Sequence, residues 1–249
     1  MSETGTNRDQ YLYGIVHADS EVTPSLQGVQ GQPVRLVVHG NVAAVVSDMD
    51  PVEVLGTPED LLGHTRLLDT LASATAVLPL AFGTVLPGDA DIGAEVLEPR
   101  ESGYLSGLQA IDGHSQYTLL VRFDRETLLR EIVEDVPEAA QLRETIAGTT
   151  EDETRPQRIR LGEIIVKAFE ARQPGEAEPI LEKLRTVTAD MAVHEQGQPD
   201  DVAEIAVLVA YDGAEAFEEA VEELAEERHP RLTFRLVGPQ APYDFVPEV

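Results

Sequence analysis

Side-chain chemistry needs certain residue types at fixed spacings, and this chain has the types without the spacings. Its six histidines (His17, His39, His64, His114, His194, His229) are scattered, none paired at the separation of a helical zinc site. His194-Glu195 opens like a zinc-protease signature, but Gln196, Gly197 and Gln198 follow and the second histidine never comes. Asp89-Ala90-Asp91-Ile92-Gly93 starts like a calcium loop. Its glycine arrives one place early, and Arg100 stands where a bidentate glutamate belongs, so these aspartates read as capping and turn residues. With no cysteine there is no thiolate zinc site, thiol nucleophile or disulfide framework. No serine sits in a nucleophile elbow, and no glycine-rich loop could cradle phosphates. Asp48-Met49-Asp50 reads as a turn, and His64, beside an apolar helical stripe, as a satisfied, partly buried histidine. Neither catalytic residue, metal nor cofactor is expected, and the chain reads as a non-enzyme.

Composition narrows the partners. Asp and Glu total 46 against 18 Lys and Arg, a formal charge of −28 over 249 residues, and only Lys167 and Lys183 are lysines. Phosphates would repel such a polyanion, so nucleic acid and anionic membrane surfaces are excluded as general partners. No apolar run approaches the ~18 residues of a spanning helix, and the polar leader Met1–Gln10 lacks the apolar core of a signal peptide. The reading is a cytoplasmic protein. Abundant carboxylate with scarce lysine points to a salt-rich cytoplasm, where molar salt shortens the Debye length to roughly 3 Å and screens self-repulsion; a merely acidic protein is the other reading. The cluster Arg155, Arg158 and Arg160 either pairs with Glu151, Asp152 and Glu153 just upstream or is held for a carboxylate-rich partner.

The elements that would position any site fall into two halves, 1–112 and 113–249. In the first, a strand over 11–16 is followed by a Pro/Gly loop to residue 33. A hairpin 34–47 turning at Gly40-Asn41 comes next, then a helix from Thr57 with Thr57 as N-cap and Pro58 at its first position. The apolar run 77–86 is broken by Pro79 and Gly83, which demotes it to an edge or bulged strand. Helical sequence over 91–111 divides at Pro99. In the second half, 117–123 alternates as a strand, short helices cover 125–133 and 138–146, and a helical hairpin spans about 156–194 with its turn at Gln173-Pro174-Gly175. On its second helix Ile180, Leu184, Val187 and Met191 form a short a/d seam suited to packing on a neighbour. Strand 203–211, helix 214–227 and strand 232–237 complete most of a ferredoxin-like unit. The fold class is α/β (α+β).

Two segments stand out. Val77–Leu86 is apolar on nearly every residue, so it is either a buried bulged strand or a docking edge, with Leu78, Leu80, Phe82 and Val85 as contact residues. The tail Leu236–Val246 carries Tyr243 and Phe245, rings that favour burial by about 1.5–3 kcal/mol each. It either folds back over a domain or caps a partner.

Tyr11-Leu12-Tyr13-Gly14-Ile15, Leu78-Pro79-Leu80-Ala81-Phe82-Gly83-Thr84-Val85 and Gly238-Pro239-Gln240-Ala241-Pro242-Tyr243-Asp244-Phe245-Val246, in that order, resemble the gas vesicle protein F/L family over nearly the whole chain. Ala81 departs from the arginine usual at its place, and Gln240-Ala241 from the more familiar Leu-Pro. The resemblance implies two ferredoxin-like α/β domains with added helices. It also implies an accessory protein needed for vesicle formation, whose partners are the small hydrophobic shell protein and other gas vesicle accessory proteins. A regulatory module binding a small ligand between paired domains is the rival reading, though no motif in the chain reads a carboxylate or phosphate.

Overall fold

In the computed structural model the described residues are 8–23, 25–49, 55–195 and 197–246; the leader 1–7, Pro24, Asp50 and Gln196 lie outside them. The chain divides into two units. One runs through Tyr117 and takes up the chain again from Gly238; the other is Thr118–Val237. The tail therefore groups with the N-terminal half, whereas the sequence division at 112/113 places it with the C-terminal half.

In the first unit, strands β1 (Gln10–His17), β2 (Val34–His39), β3 (Val42–Asp48) and β4 (Val77–Pro79) stand in the order β2-β3-β1-β4, with the short β5 (Val85–Leu86) also on β1. Residues 77–86 thus run antiparallel along one side of β1, the edge position that Pro79 predicts. β3 is buried on both faces from Val42 to Ser47 and reads accordingly as a continuous apolar run. Helix α1 (Pro58–Ala72) covers one face through Leu67, Leu68, Leu71 and Ala72. The other face, with Leu12, Ile15, Ala44 and Val46 fully buried, meets a π-helical turn at 93–97 and helix α2 (Glu101–Ile111). α1 starts on a capping box. The Asp60 amide donates to Thr57 Oγ1 at 3.2 Å, and the Asp60 carboxylate accepts from the Thr57 amide at 2.9 Å.

β1 carries a bulge. Leu12 pairs with Val46 and Gly14 with Val45, so Tyr13 is the extra residue. The bulge shifts the alternation, and Tyr11, Tyr13 and Val16 all face α1. Both tyrosines are 0% exposed, so their hydroxyls need partners inside the protein. Tyr13 Oη accepts from the Val29 amide at 2.8 Å and shares a 2.8 Å bond with Ser47 Oγ. Tyr11 Oη accepts from the Gly83 amide at 2.9 Å and lies 2.9 Å from His64 Nδ1. Each phenol ties a distant loop to β1.

The second unit contains β6 (His114–Phe123), α3 (Arg125–Asp135), α4 (Pro137–Ile146), α5 (Arg155–Leu184), β7 (Asp190–Val193), β8 (Asp201–Ala210), α6 (Ala214–Arg228) and β9 (Leu232–Gln240). β6 and β9 each carry a unit boundary within them. The sheet order is β7-β8-β6-β9. Counting strands within each unit, both sheets follow the order 2-3-1-4 of a ferredoxin-like split unit. In the first unit, loop 18–33 takes the place of the first crossover helix.

One sequence expectation fails here. The helical hairpin does not form: residues 155–184 are a single 30-residue helix that passes through Pro174 and Pro179. Proline removes one amide and crowds the carbonyl four residues back. Pro174 is exposed and so is Glu170, so water can serve the freed carbonyl. The helix ends at Leu184, and Thr186 to Val193, β-branched at four positions, turns and becomes β7. Buried carboxylates in this unit are matched. Glu176 meets Arg228 at 2.9 Å and Arg231 at 2.7 Å, and Asp201 meets Arg122 at 2.6 Å.

Tyr13→Phe keeps the ring but orphans the Val29 amide and the Ser47 hydroxyl, so it should lower unfolding free energy by about 1–3 kcal/mol. Urea denaturation at fixed molar KCl measures this, and a change within error would show the bonds contribute nothing net.

Candidate functional site

The motif Leu78–Val85 is shaped by its turn. The Thr84 amide donates to the Ala81 carbonyl at 3.2 Å, closing a β-turn with Gly83 at its third position and φ +86°, a conformation that calls for glycine. Thr84 Oγ1 also donates to the Ala81 carbonyl at 2.7 Å, and the turn is held to β1 by the Gly83 amide on Tyr11. Gly14 is needed for a different reason: a Cβ there would lie 2.7 Å from the Leu78 carbonyl oxygen, so only glycine lets β4 approach β1.

The tail docks on the same unit by polar contacts. The Ala241 amide donates to Asp69 Oδ1 on α1 at 2.9 Å, and Ala241 is fully buried. The Asp244 amide donates to Gln116 Oε1 at 3.0 Å while Gln116 Nε2 returns a bond to the Asp244 carboxylate. This brings Tyr243 to a ring-centroid distance of 6.5 Å from His64. Around the same imidazole stand Tyr11 (5.7 Å), Tyr13 (5.8 Å, stacked) and Phe82 (5.6 Å, edge-on). Three motifs far apart in sequence therefore meet at one aromatic cluster centred on His64.

The cluster's electrostatics fit packing better than proton transfer. Burial pushes the Tyr11 and Tyr243 phenols up to about 12 and raises Tyr13 as well. Burial also pushes the His64 imidazole below its ordinary 6.5, opposed by the Leu80 carbonyl. A tyrosine–histidine pair whose values both move away from neutrality is poorly poised as acid and base. Tyr11 donating to His64 Nδ1 leaves the imidazole proton on Nε2, which is buried without a hydrogen-bond partner. The Leu80 carbonyl acts on this imidazole without closing a well-formed bond to Nε2, and at 1% exposure His64 is more deeply buried than the sequence predicts. Burial raises the Asp69 carboxyl, opposed by the Ala241 amide.

The sequence-chosen contact residues separate into groups. Leu78 is 1% exposed and belongs to the core. Leu80, Phe82 and Val85 are half-buried, the last two packed on the α1-side core. Tyr243 is 37% exposed, and Phe245 is half-buried. Ile180 and Leu184 are fully buried in α5, Val187 lies past the helix end, and Met191 sits on β7 opposite Val207, so these four share no helical stripe. The seam misled because its last two members are strand-side residues. Sequence reasoning missed Asp69 and Gln116 as tail anchors, since neither stands in a motif. Arg158 and Arg160 bond within the chain, as one of the two sequence readings has it, but to partners other than Glu151, Asp152 and Glu153. Arg160 pairs with Glu138 (2.7 Å) and Glu163 (3.2 Å), Arg158 bonds Thr149 and Thr154, and Glu153 is taken by Thr150.

Comparison with known proteins follows the motifs. The family described as "Gas vesicle synthesis protein GvpL/GvpF" matches residues 10–247. Gas vesicle protein F of a Streptomyces species is 33% identical over 95% of this chain and 98% of its own length; gas vesicle protein L of the same organism is 26% identical over 96% and 93%. The crystal structure of GvpF from Anabaena sp. PCC7120 superposes with a TM-score of 0.78 at 20% identity, covering 97% of this chain and 99% of that one.

His64 should leave a signature in stability against pH. Its folded value lies below its unfolded one, so its contribution is complete above about pH 6.5 and is lost as pH falls through the folded value. Between about pH 7 and pH 5 the melting temperature should therefore fall more steeply for the native chain than for His64→Phe. Parallel profiles for the two would show that His64 does not titrate with unfolding.

Proposed function

The chain belongs to the GvpL/GvpF family of gas vesicle synthesis proteins, and from that premise we propose that it is an F member serving as an accessory protein in gas vesicle assembly. Its role is to hold the hydrophobic shell subunit, and other accessory proteins, by contact rather than to transform a substrate. The lean to F rests on the Streptomyces pair, 33% identity to the F protein against 26% to the L protein.

The observation that carries the reading is the meeting of the three family motifs at the His64 cluster. A purely internal core would be closed over. Here Leu80 and Phe82 stay half-buried, Tyr243 is 37% exposed, and Leu61, one turn before His64 on α1, is 50% exposed. Shell subunits that face gas carry apolar surface that aggregates in water. A limited apolar dock on a polyanion can shield such a surface, while the charge of −28 keeps loaded complexes apart. Such a protein would work in the cytoplasm and at the growing vesicle. Among the described residues no helix is long and apolar enough to cross a membrane.

Leu80→Asp is the cleaner probe, because Phe82 also packs on the core. The variant should keep its circular dichroism and lose co-purification with the shell protein from lysate at molar salt. Undiminished recovery of the shell protein would remove Leu80 from the dock, and a lost fold would reassign the segment to the core.

A further inference from the structure

The second unit carries a surface that the first-unit dock does not explain. Helix α3 is apolar on two sides. Leu128 and Ile132 are buried (1% and 0% exposed), while Leu129 and Val133 stay half-exposed and point elsewhere. Leu129 and Val133 form, with Leu161 and Ile165 of α5, the floor of a groove of about 350 Å³. Nearby on α5, Ile159 and Val166 are 56% and 39% exposed, so apolar side chains also lie outside the buried stripe of that helix.

The groove's charge is the reverse of the molecule's. Arg130 and Arg143 line it, with Glu126 as the sole carboxylate, and Glu126 is already in an exposed 3.2 Å pair with Arg130. Among the described residues Arg143 makes no ion pair. Along α5, residues 155–172 hold five cations against two carboxylates in a chain of net charge −28. Arg160 and Arg172 are paired, with Glu138, Glu163 and Asp135, but cations still outnumber carboxylates beside these exposed aliphatic side chains.

We propose that this α3–α4–α5 groove docks an acidic amphipathic helix of a partner protein, whose aliphatic stripe fills the floor and whose flanking carboxylates meet Arg130 and Arg143. Walls made by residues at i, i+3, i+4 and i+7 suit a helix laid in a groove. A second copy of this chain fits poorly, because the apolar stripes of α1 and α6 are already buried in their own units. The assignment goes beyond the first-unit dock and does not depend on it.

The test uses the full chain and two fluorescein-labelled helical peptides of about 18 residues, five turns. Both carry a leucine stripe, one flanked by glutamates and the other by lysines. Anisotropy is read at roughly 0.15 M KCl, where charges beyond about 8 Å are screened. The glutamate peptide should bind and the lysine peptide should not, the opposite of what the net charge favours. Arg143→Glu should weaken binding about tenfold or more, Leu129→Gln should weaken it without shifting the melting temperature, and Leu80→Asp should leave it unchanged. Equal or tighter binding of the lysine peptide, indifference to Arg143→Glu, or loss with Leu80→Asp would overturn the proposal. So would a dimer, seen by sedimentation, that Arg143→Glu dissolves.

Discussion

Two phenols buried side by side on one bulged strand impose the order from which the rest of the first unit follows. A tyrosine hydroxyl shut away from water has to find a hydrogen-bond partner. Tyr11 and Tyr13 find theirs in loop amides, at Gly83 and Val29, about seventy residues ahead and sixteen ahead. Alternation aims both rings at α1, and the bulge gives the next place on that side to Val16, leaving Ile15 with Leu12 on the α2 side. With the rings fixed, His64, Phe82 and Tyr243 pack around them. The family motifs are thus one packing arrangement written in three places.

Charge divides the labour between the units. Only Arg8, Arg35, Arg66 and Arg100 of the eighteen cations fall in the first unit; the others fall in Thr118–Val237. The first unit therefore has few cations with which to select an acidic partner. On the second, guanidinium groups beside aliphatic side chains can select a partner by sign as well as by shape. Most surface ion pairs there are exposed and individually weak, so their worth lies in where they leave cations free.

Legibility followed the range of the interaction. Thr57-Pro58-Glu59-Asp60 announced its helix start because a capping box is local chemistry. Pro79 announced an edge strand for the same reason. The ferredoxin-like order of the second unit could be read from alternating strands and helices, although β7 was hidden in what looked like a continuing helical seam. α5 defied its Pro174-Gly175 signal because tertiary packing of Phe169, Ile180 and Leu184 outweighs a local breaker. Of the site, the three motifs were visible but their meeting was not. His64 lies on a helix, and its neighbours come from β1, the Phe82 turn and the tail. Asp69 and Gln116 gave no signal at all: an ordinary helix aspartate and a strand glutamine become tail anchors only once the chain has returned to them.

That return has a temporal consequence. Because the first unit resumes at Gly238, the second is an insertion within it. During synthesis the amino-terminal half can assemble its sheet early, yet Asp69 and Gln116 have to wait for Ala241 and Asp244. The aromatic cluster acquires Tyr243 only after all of the second unit has been synthesised. The first unit is begun before the second and finished after it, so a chain cut anywhere ahead of Gly238 would lack both tail anchors while its second unit was whole.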